Sequence, residues 1–309
     1  MTYSVLIIGS TGNIGSKISK ELAAHKSELK RVAFLTAVAD AGPEKEAKYA
    51  AIHLERMVGG LSDPASYKGF DIVISAVGDD LCAQQAEFAD AAFAAGVKHF
   101  YPAECKDHSL WCRSVTRKTA PEAYFVNKIA TRKYLEERVK ADPSLGYTYI
   151  LVGLFTDIFL WFNVLGLSQD RKSALFIGDP DARISTTLSD DVAKVVVASL
   201  LRPHLSSLGG GRTVRFSGTT LTTTELFSTV EKVLGHPIVV KYLTEGESYG
   251  FAKEQKEAGN AFLSKFSSAM RSIGFGGAEM IGDDNNQYPE IVPSSWEDAV
   301  KSWWAVVGK

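Results

Sequence analysis

The run "VLIIGSTGNIG", residues 5–15, constrains this chain more than any other stretch. An apolar run ends on Gly9, and Gly12 and Gly15 follow at intervals of three, where a helical pattern begins. Each glycine has a physical task in such a turn. One permits the sharp reversal, one lets backbone approach a pyrophosphate, and one lets the helix pack close to the sheet. The phosphates then lie at the helix N-terminus, where free N–H groups and the dipole favour anions. A glycine triplet alone is weak evidence; a strand before it, a helix after it and further strand–helix units give it the required context.

That context is present. "VLIIG" (5–9), "RVAFLTA" (31–37), "RMVGGL" (56–61), "DIVISAVG" (71–78), "VKHFYPAE" (97–104) and "YTYILVGLF" (147–155) read as six strands alternating with helical patterns. Strands rich in Val and Ile that alternate with helices imply a parallel sheet covered on both faces. The expectation is an α/β fold, a doubly wound parallel Rossmann sheet with a smaller C-terminal substrate-binding region. Residues 1–153 form the dinucleotide-binding domain, and the helix at 189–202 returns to it; residues 154–309 form the substrate region. In that region "ISTTLSDDVAKVVVASLL" (184–201) reads as a loop and then an acidic helix start. Thr222 and Glu225 have capping-box spacing, and Ser294 or Ser295 caps a last helix.

Composition narrows the class. With 309 residues, 45% hydrophobic and 23% charged, the chain reads as an ordinary globular protein of one large or two modest domains. A formal net charge of −2 argues against nucleic acid or anionic membrane as partner. Three cysteines make no disulfide framework and point to a reducing, cytoplasmic setting. The N-terminus has no charged leader and runs straight into a strand, unlike a signal peptide. The segment 147–167 has the length of a membrane span, but Asp157 and Asn163 fit a buried strand leading into a pocket-lining loop and helix better. Cys105, His108 and Cys112 are spaced C-x2-H-x3-C with no fourth ligand nearby, so no metal site is expected. No G-x-S-x-G, HExxH or Walker A pattern supports a hydrolase or kinase.

The end of the second strand bears on cofactor choice. A carboxylate there would bond the ribose 2′-OH and repel a 2′-phosphate. The chain has Thr36 and Ala37 at that point, and Asp40 comes late. The missing acid leans towards NADPH over NAD, although no arginine stands there; Lys45 and Lys48 are either phosphate ligands or a solvated helix face. The expected cofactor-binding set is Gly9, Ser10, Thr11, Gly12, Asn13, Ile14 and Gly15 in the turn, with Thr36, Ala76, Val77 and Pro102 at strand ends. Lys128 lies in "AYFVNKIATRKYLEE" (123–137), on a helix face shared with Tyr124, Leu135 and Val139. A lysine there is desolvated, or reaches a partner, or else snorkels from the helix edge. Arg132, one turn on, keeps the snorkelling reading open.

The GxxGxxG spacing resembles the short-chain dehydrogenase/reductase superfamily in its atypical branches. "GSTGNIG", "GGLSDPASYKGFDIVISAVG", "AAGVKHFYPAE", "YFVNKIATRKYLEE" and "GYTYILVGLF" come in the order seen in NmrA-like and isoflavone reductase-like proteins. The resemblance covers about the first 200 residues well and the rest loosely, with "NNQYPEIVPSSWEDAV" as an echo. It implies that Lys128 is an active-site lysine near the nicotinamide and that Phe155 faces the cofactor. Tyr124 with Lys128 also reads as the YxxxK dyad of ordinary short-chain dehydrogenases, which makes Tyr124 a second catalytic candidate; isoflavone reductase-like proteins do not generally rely on it. The family's Pro-Ser-Glu-Phe-Gly is here Pro102-Ala103-Glu104-Cys105-Lys106, a departure beside the nicotinamide pocket.

The resemblance therefore implies an NADPH-dependent reductase acting on a hydrophobic, aromatic small molecule, with Lys128 as acid/base or oxyanion stabiliser. Phe155, Phe159 and Trp161 are either flanks of that pocket or core. Two other functions stay open: a dinucleotide-sensing regulator that binds a protein partner without turnover, and a cofactor-assisted isomerase. Homo-oligomerisation is open as well.

Overall fold

A computed structural model describes residues 2–37, 41–78, 80–103, 125–201 and 207–308. The chain forms two compact units. The first takes the described residues of Met1–Glu104, Asn127–Ile150 and Val192–Val214. The second takes Leu151–Asp191 and Arg215–Lys309 among its segments.

The first unit is built on β1 (Ser4–Ile8), β2 (Arg31–Thr36), β3 (Glu55–Val58), β4 (Ile72–Ser75), β5 (His99–Tyr101), β6 (Gly146–Leu151) and β10 (Gly210–Arg215). Their order across the sheet is β10-β6-β5-β4-β1-β2-β3. β1 is buried along its whole length and pairs in parallel with both β2 and β4. A strand covered on both faces needs apolar residues at every position, which is why "SVLII" shows no alternation. Each fully buried Val, Leu or Ile contributes about 1.5–3 kcal/mol. Bonds from Gly210 N to Leu145 O and from Phe216 N to Leu151 O advance together, so β10 extends the parallel ladder. The sheet grows one way through β2 and β3 and the other way through β4, β5 and β6. Right-handed crossovers then place the two sets of helices on opposite faces and open a crevice between the C-terminal ends of β1 and β4. The helices include α1 (Asn13–Ala24), α2 (Pro43–Ala50), α3 (Gln85–Ala94), α4 (Val126–Ala141) and α6 (Ser189–Leu201).

At the β5–β6–β10 edge a buried histidine closes the sheet. His99 Nδ1 lies 2.6 Å from Leu208 O and Nε2 lies 2.8 Å from Thr148 Oγ1. A carbonyl only accepts, so Nδ1 carries the proton and the threonine hydroxyl donates to Nε2. Burial holds this imidazole neutral and pulls its pKa down to about 4. Gly146 makes the room: a Cβ there would fall 2.0 Å from Leu208 O.

Among its described residues the second unit has no long sheet. β7 (Leu154–Phe155), β9 (Arg183–Thr187) and β11 (Thr219–Thr222) form one small sheet, and β8 (Ser173–Ile177) pairs in parallel with β12 (Val239–Leu243). Around them lie α5 (Thr156–Trp161), α7 (Thr223–Leu234), α8 (Glu245–Glu257), α9 (Ala261–Ser272) and α10 (Trp296–Val307). α7 starts with the expected capping box, Thr222 with Glu225, and α8 repeats it with Thr244 and Glu247. Ser295 caps α10. Trp296 anchors that helix, fully buried, with its Nε1 donating to Leu226 O at 3.1 Å.

Two expectations are corrected. Residues 147–155 are not one strand: Gly153 takes φ +68° and the chain leaves β6 before starting β7. A Cβ on Gly153 would lie 2.2 Å from Ser185 O, so this approach to β9 requires glycine. Residues 184–187 are not a loop but belong to β9, whose polar side chains find partners in the core. Thr187 Oγ1 donates to Val152 O at 2.7 Å, and Ser185 Oγ bonds Thr220 Oγ1 at 2.7 Å.

Candidate functional site

The glycine turn folds tightly upon itself. Gly9 takes φ +80°, and Gly12 N donates to Gly9 O at 3.1 Å. A Cβ on Gly9 would fall 2.5 Å from Ala76 O, and one on Gly15 only 2.0 Å from Gly9 O. The first contact brings the ends of β1 and β4 together; the second seats α1 against the turn. Ser10 and Gly15 are buried, Thr11 and Ile14 half-buried, and Gly12 and Asn13 exposed. Gly12 is the N-cap of α1 with no capping side chain, and no acidic residue occupies the first turn. The helix thus presents its positive end without a carboxylate of its own, as an anion site requires. A cradle that a Cβ would fill, at the switch point of a doubly wound sheet, fits a dinucleotide pyrophosphate.

From Ala76 the site continues along strand ends. Ala76 and Val77 are buried just after β4, and Pro102 just after β5. Gln85, at the start of α3 and fully buried, ties the two strand ends together. Its Oε1 accepts from Ser75 Oγ at 2.9 Å and from Ala103 N at 2.8 Å. The other side of the same residue holds the lysine: Lys128 Nζ donates to Ala103 O at 3.0 Å. Lys128 is only 6% exposed. The buried face of α4 is Lys128, Thr131, Arg132 and Leu135, whereas Val139 is half-buried, so the stripe runs slightly differently from the expected one. Arg132 lies over the Tyr149 ring, 4.7 Å from its centroid, a packing role.

Thr36 is buried at the end of β2, and an arginine does stand beside it, contrary to the sequence reading. Arg56, from β3, donates through Nε to Thr36 Oγ1 at 3.1 Å and pairs with Glu46 of α2 at 2.6 Å. The bond to Arg56 and a second from Ala41 N hold the Glu46 carboxyl below its usual range. Lys48 pairs with Glu44 on an exposed face, and Lys45 is exposed too.

Phe155 belongs to the second unit, buried as the N-cap of α5. Phe159 is core, edge-on to Trp296 at 6.2 Å, and Trp161 is exposed. Tyr124, together with Glu104, Cys105, Lys106, His108 and Cys112, lies outside the described residues; among those described, no cluster could hold a metal ion. Gln85 and Arg56 are the two residues that sequence reasoning missed. A glutamine in an otherwise Ala-rich helix start was a visible signal for the first. Nothing local could have signalled Arg56, which reaches Thr36 across twenty residues of chain. The second unit holds a small, half-open apolar cleft lined by Phe162, Leu175, Phe262, Phe266 and Met270 among others.

A strand, a glycine turn and a helix at the switch point of a doubly wound parallel sheet define the Rossmann class of fold. The chain belongs to the NmrA-like family, whose model matches residues 1–251. It is 27% identical over 267 residues to the oxidoreductase aprR of Aspergillus flavus, covering 86% of this chain and 83% of that protein. It is 26% identical to a phenylcoumaran benzylic ether reductase, IRL1, of Ginkgo biloba, covering 94% of each. Its fold matches leucoanthocyanidin reductase of Vitis vinifera, solved as a binary complex with NADPH. That likeness has a TM-score of 0.77 at 19% identity, over 98% of this chain and 99% of that one. No helix among the described residues is long and apolar enough to cross a membrane; the run 147–167 is β6, β7 and α5.

Proposed function

We propose that the chain is an NADPH-dependent reductase of hydrophobic, aromatic small molecules. The observation that carries this is Lys128, buried yet held by the Ala103 carbonyl at the end of β5, one linked network away from the glycine cradle. The names of the relatives, reductases and oxidoreductases, support the same reading.

The cradle formed by residues 9–15, closed by Ala76 and Val77, holds the pyrophosphate. Pro102, just past β5 in the same unit, would border the nicotinamide end. The bound cofactor supplies a hydride. Lys128 supplies the positive charge opposite the oxygen on which negative charge builds, and gives that oxygen a proton. Its remaining N–H groups are the donors for that task, since one is committed to Ala103. Tyr124 is not needed for the proton on this reading. The substrate region is the second unit, and its Phe-lined cleft suits an aryl group.

Titration with NADPH and NADH, followed by NADPH oxidation against a panel of aromatic ketones, enones and benzylic ethers, tests the reading. Tight NADPH binding with turnover of at least one panel member is the expected result. Tight binding with no turnover, unaltered by Lys128→Ala, would make the chain a dinucleotide-sensing regulator. Turnover of substrate without NADPH consumption would make it an isomerase.

A further inference from the structure

The C-terminal end of β2 gathers side chains that are distant in sequence. Arg56 is paired in register with Phe34, yet its side chain reaches forward to Thr36. Beyond the bond to Thr36, its terminal nitrogens form a fork on Glu46: Nη1 to Oε2 at 2.6 Å and Nη2 to Oε1 at 3.1 Å. The guanidinium also lies over the Tyr49 ring, 4.3 Å from its centroid. Arg56 and Glu46 remain 24% and 34% exposed, so a solute can reach the pair.

A stacked, planar, permanently charged fork fits a carboxylate or a phosphate equally well. Its position separates the two. In a doubly wound sheet the end of the second strand receives the adenosine ribose, where an acid reads the 2′-hydroxyl or an arginine reads a 2′-phosphate. Here both residue types are present and hold each other. We propose that Arg56 is the receptor for a ribose 2′-phosphate, and that Glu46 occupies its fork until that phosphate displaces it. This rests on the dinucleotide reading above and adds to it the group that sets cofactor choice.

A second pair on the same strands provides the contrast. Arg31 and Glu55, at the first residues of β2 and β3, bond at 2.8 Å. They lie at the ends of those strands away from the crevice and serve as a clamp between neighbours. Arg56–Glu46 has the same chemistry at the ligand end. A 2′-hydroxyl carries no charge with which to open the fork. It would also have to compete for a carboxylate that already accepts from Arg56 and from Ala41 N. A phosphate dianion brings more charge than Glu46 and the same bidentate geometry. Glu46 therefore acts as a built-in competitor that sharpens the choice between the two cofactors while lowering affinity for the preferred one.

Calorimetric titration of the full chain with adenosine 2′,5′-bisphosphate and with 5′-AMP tests this, with NADPH and NADH as the second ligand pair. Arg56→Ala should weaken the bisphosphate by about 10- to 100-fold, the range for lost charge-assisted bonds, and leave 5′-AMP within about threefold. Retained 5′-AMP binding also reports a folded protein. Arg56→Lys should fall between the two, since it keeps the charge and loses the fork. Glu46→Gln should tighten the bisphosphate by about tenfold and leave 5′-AMP unchanged. Equal weakening of both ligands in Arg56→Ala, or no change in either, overturns the assignment. So does Glu46→Gln weakening NADH, because Glu46 would then be a ligand of the ribose diol. A wild-type chain that binds neither NADPH nor NADH removes the dinucleotide reading itself; one that binds both alike removes only this inference.

Discussion

The two units differ in how they hold their polar groups. In the first, one long parallel ladder carries the backbone bonds, and buried polar side chains such as Gln85 and Lys128 bond to groups at or just past the strand ends. In the second, short strands such as β9 bury threonine and serine in mid-element and satisfy them with hydroxyl bonds. A continuous sheet with loose ends leaves its polar groups where a ligand can use them. A patchwork of small sheets consumes them in holding itself together, and offers a ligand mainly apolar surface. On the function proposed above, cofactor chemistry falls to the first unit and shape selection to the second.

The most severe test of that division is Gly12→Asp. A carboxylate at the helix N-cap would occupy the anion site and repel the pyrophosphate, and NADPH and NADH affinity should both fall by about 1000-fold or more. The fold is expected to hold, although a Cβ at Gly12 would meet Gly9 O at 3.3 Å and the turn must give slightly to admit it. Calorimetry with a parallel melting curve checks both points; retained NADPH binding would break the comparison at once.

Next in size is the acid response of His99. Its folded pKa lies near 4 against an unfolded value near 6.5, so the unfolded chain binds the extra proton between these values. Stability from this group is full above about pH 6.5, declines as pH falls, and is lost by about pH 4, a total of about 3 kcal/mol. Urea unfolding from pH 7 to 4 should show the decline, and His99→Gln should flatten it. Hydrogen exchange at pH 5 should show β5, β6 and β10 losing protection before β8 and β12. Uniform loss in both units would mean that this edge is not the acid-sensitive element.

Lys128→Ala should lower kcat by about 100-fold or more, the range for a lost acid/base, with NADPH affinity nearly unchanged. Tyr124→Phe should be mild, within about threefold, because the reaction as proposed draws its proton from Lys128. If the tyrosine change proves as damaging as the lysine change, the YxxxK dyad operates instead. The smallest effect is expected in the second unit. Phe262 is 55% exposed and stacked on Phe266 at 5.5 Å, so Phe262→Ala should cost little stability. It should raise KM for an aromatic substrate about tenfold, with kcat and NADPH affinity unchanged. A change in NADPH affinity would show that the two roles are not separate.

Legibility in the sequence follows the same line. The strands of the first unit could be read because burial on both faces forces uninterrupted apolar runs, and the glycine turn because its spacing is a local geometric requirement. β9 was hidden because "RISTT" buries hydroxyls that a reading by polarity assigns to solvent. The break at Gly153 was hidden because one glycine in an apolar run does not announce a positive φ. Lys128 showed as a charge on a helix face, but its tie to Ala103 did not, and Arg56 beside Thr36 depends on sheet register.

The bond from Lys128 to Ala103 also fixes when an entropic loss occurs. A free lysine side chain has about 2 kcal/mol of rotamer freedom to lose when it is brought to bear on a ligand. Here the stem is already immobile, buried along α4 with its Nζ anchored to main chain. That loss is borne once, when the protein folds, and is not repeated at each encounter with a substrate.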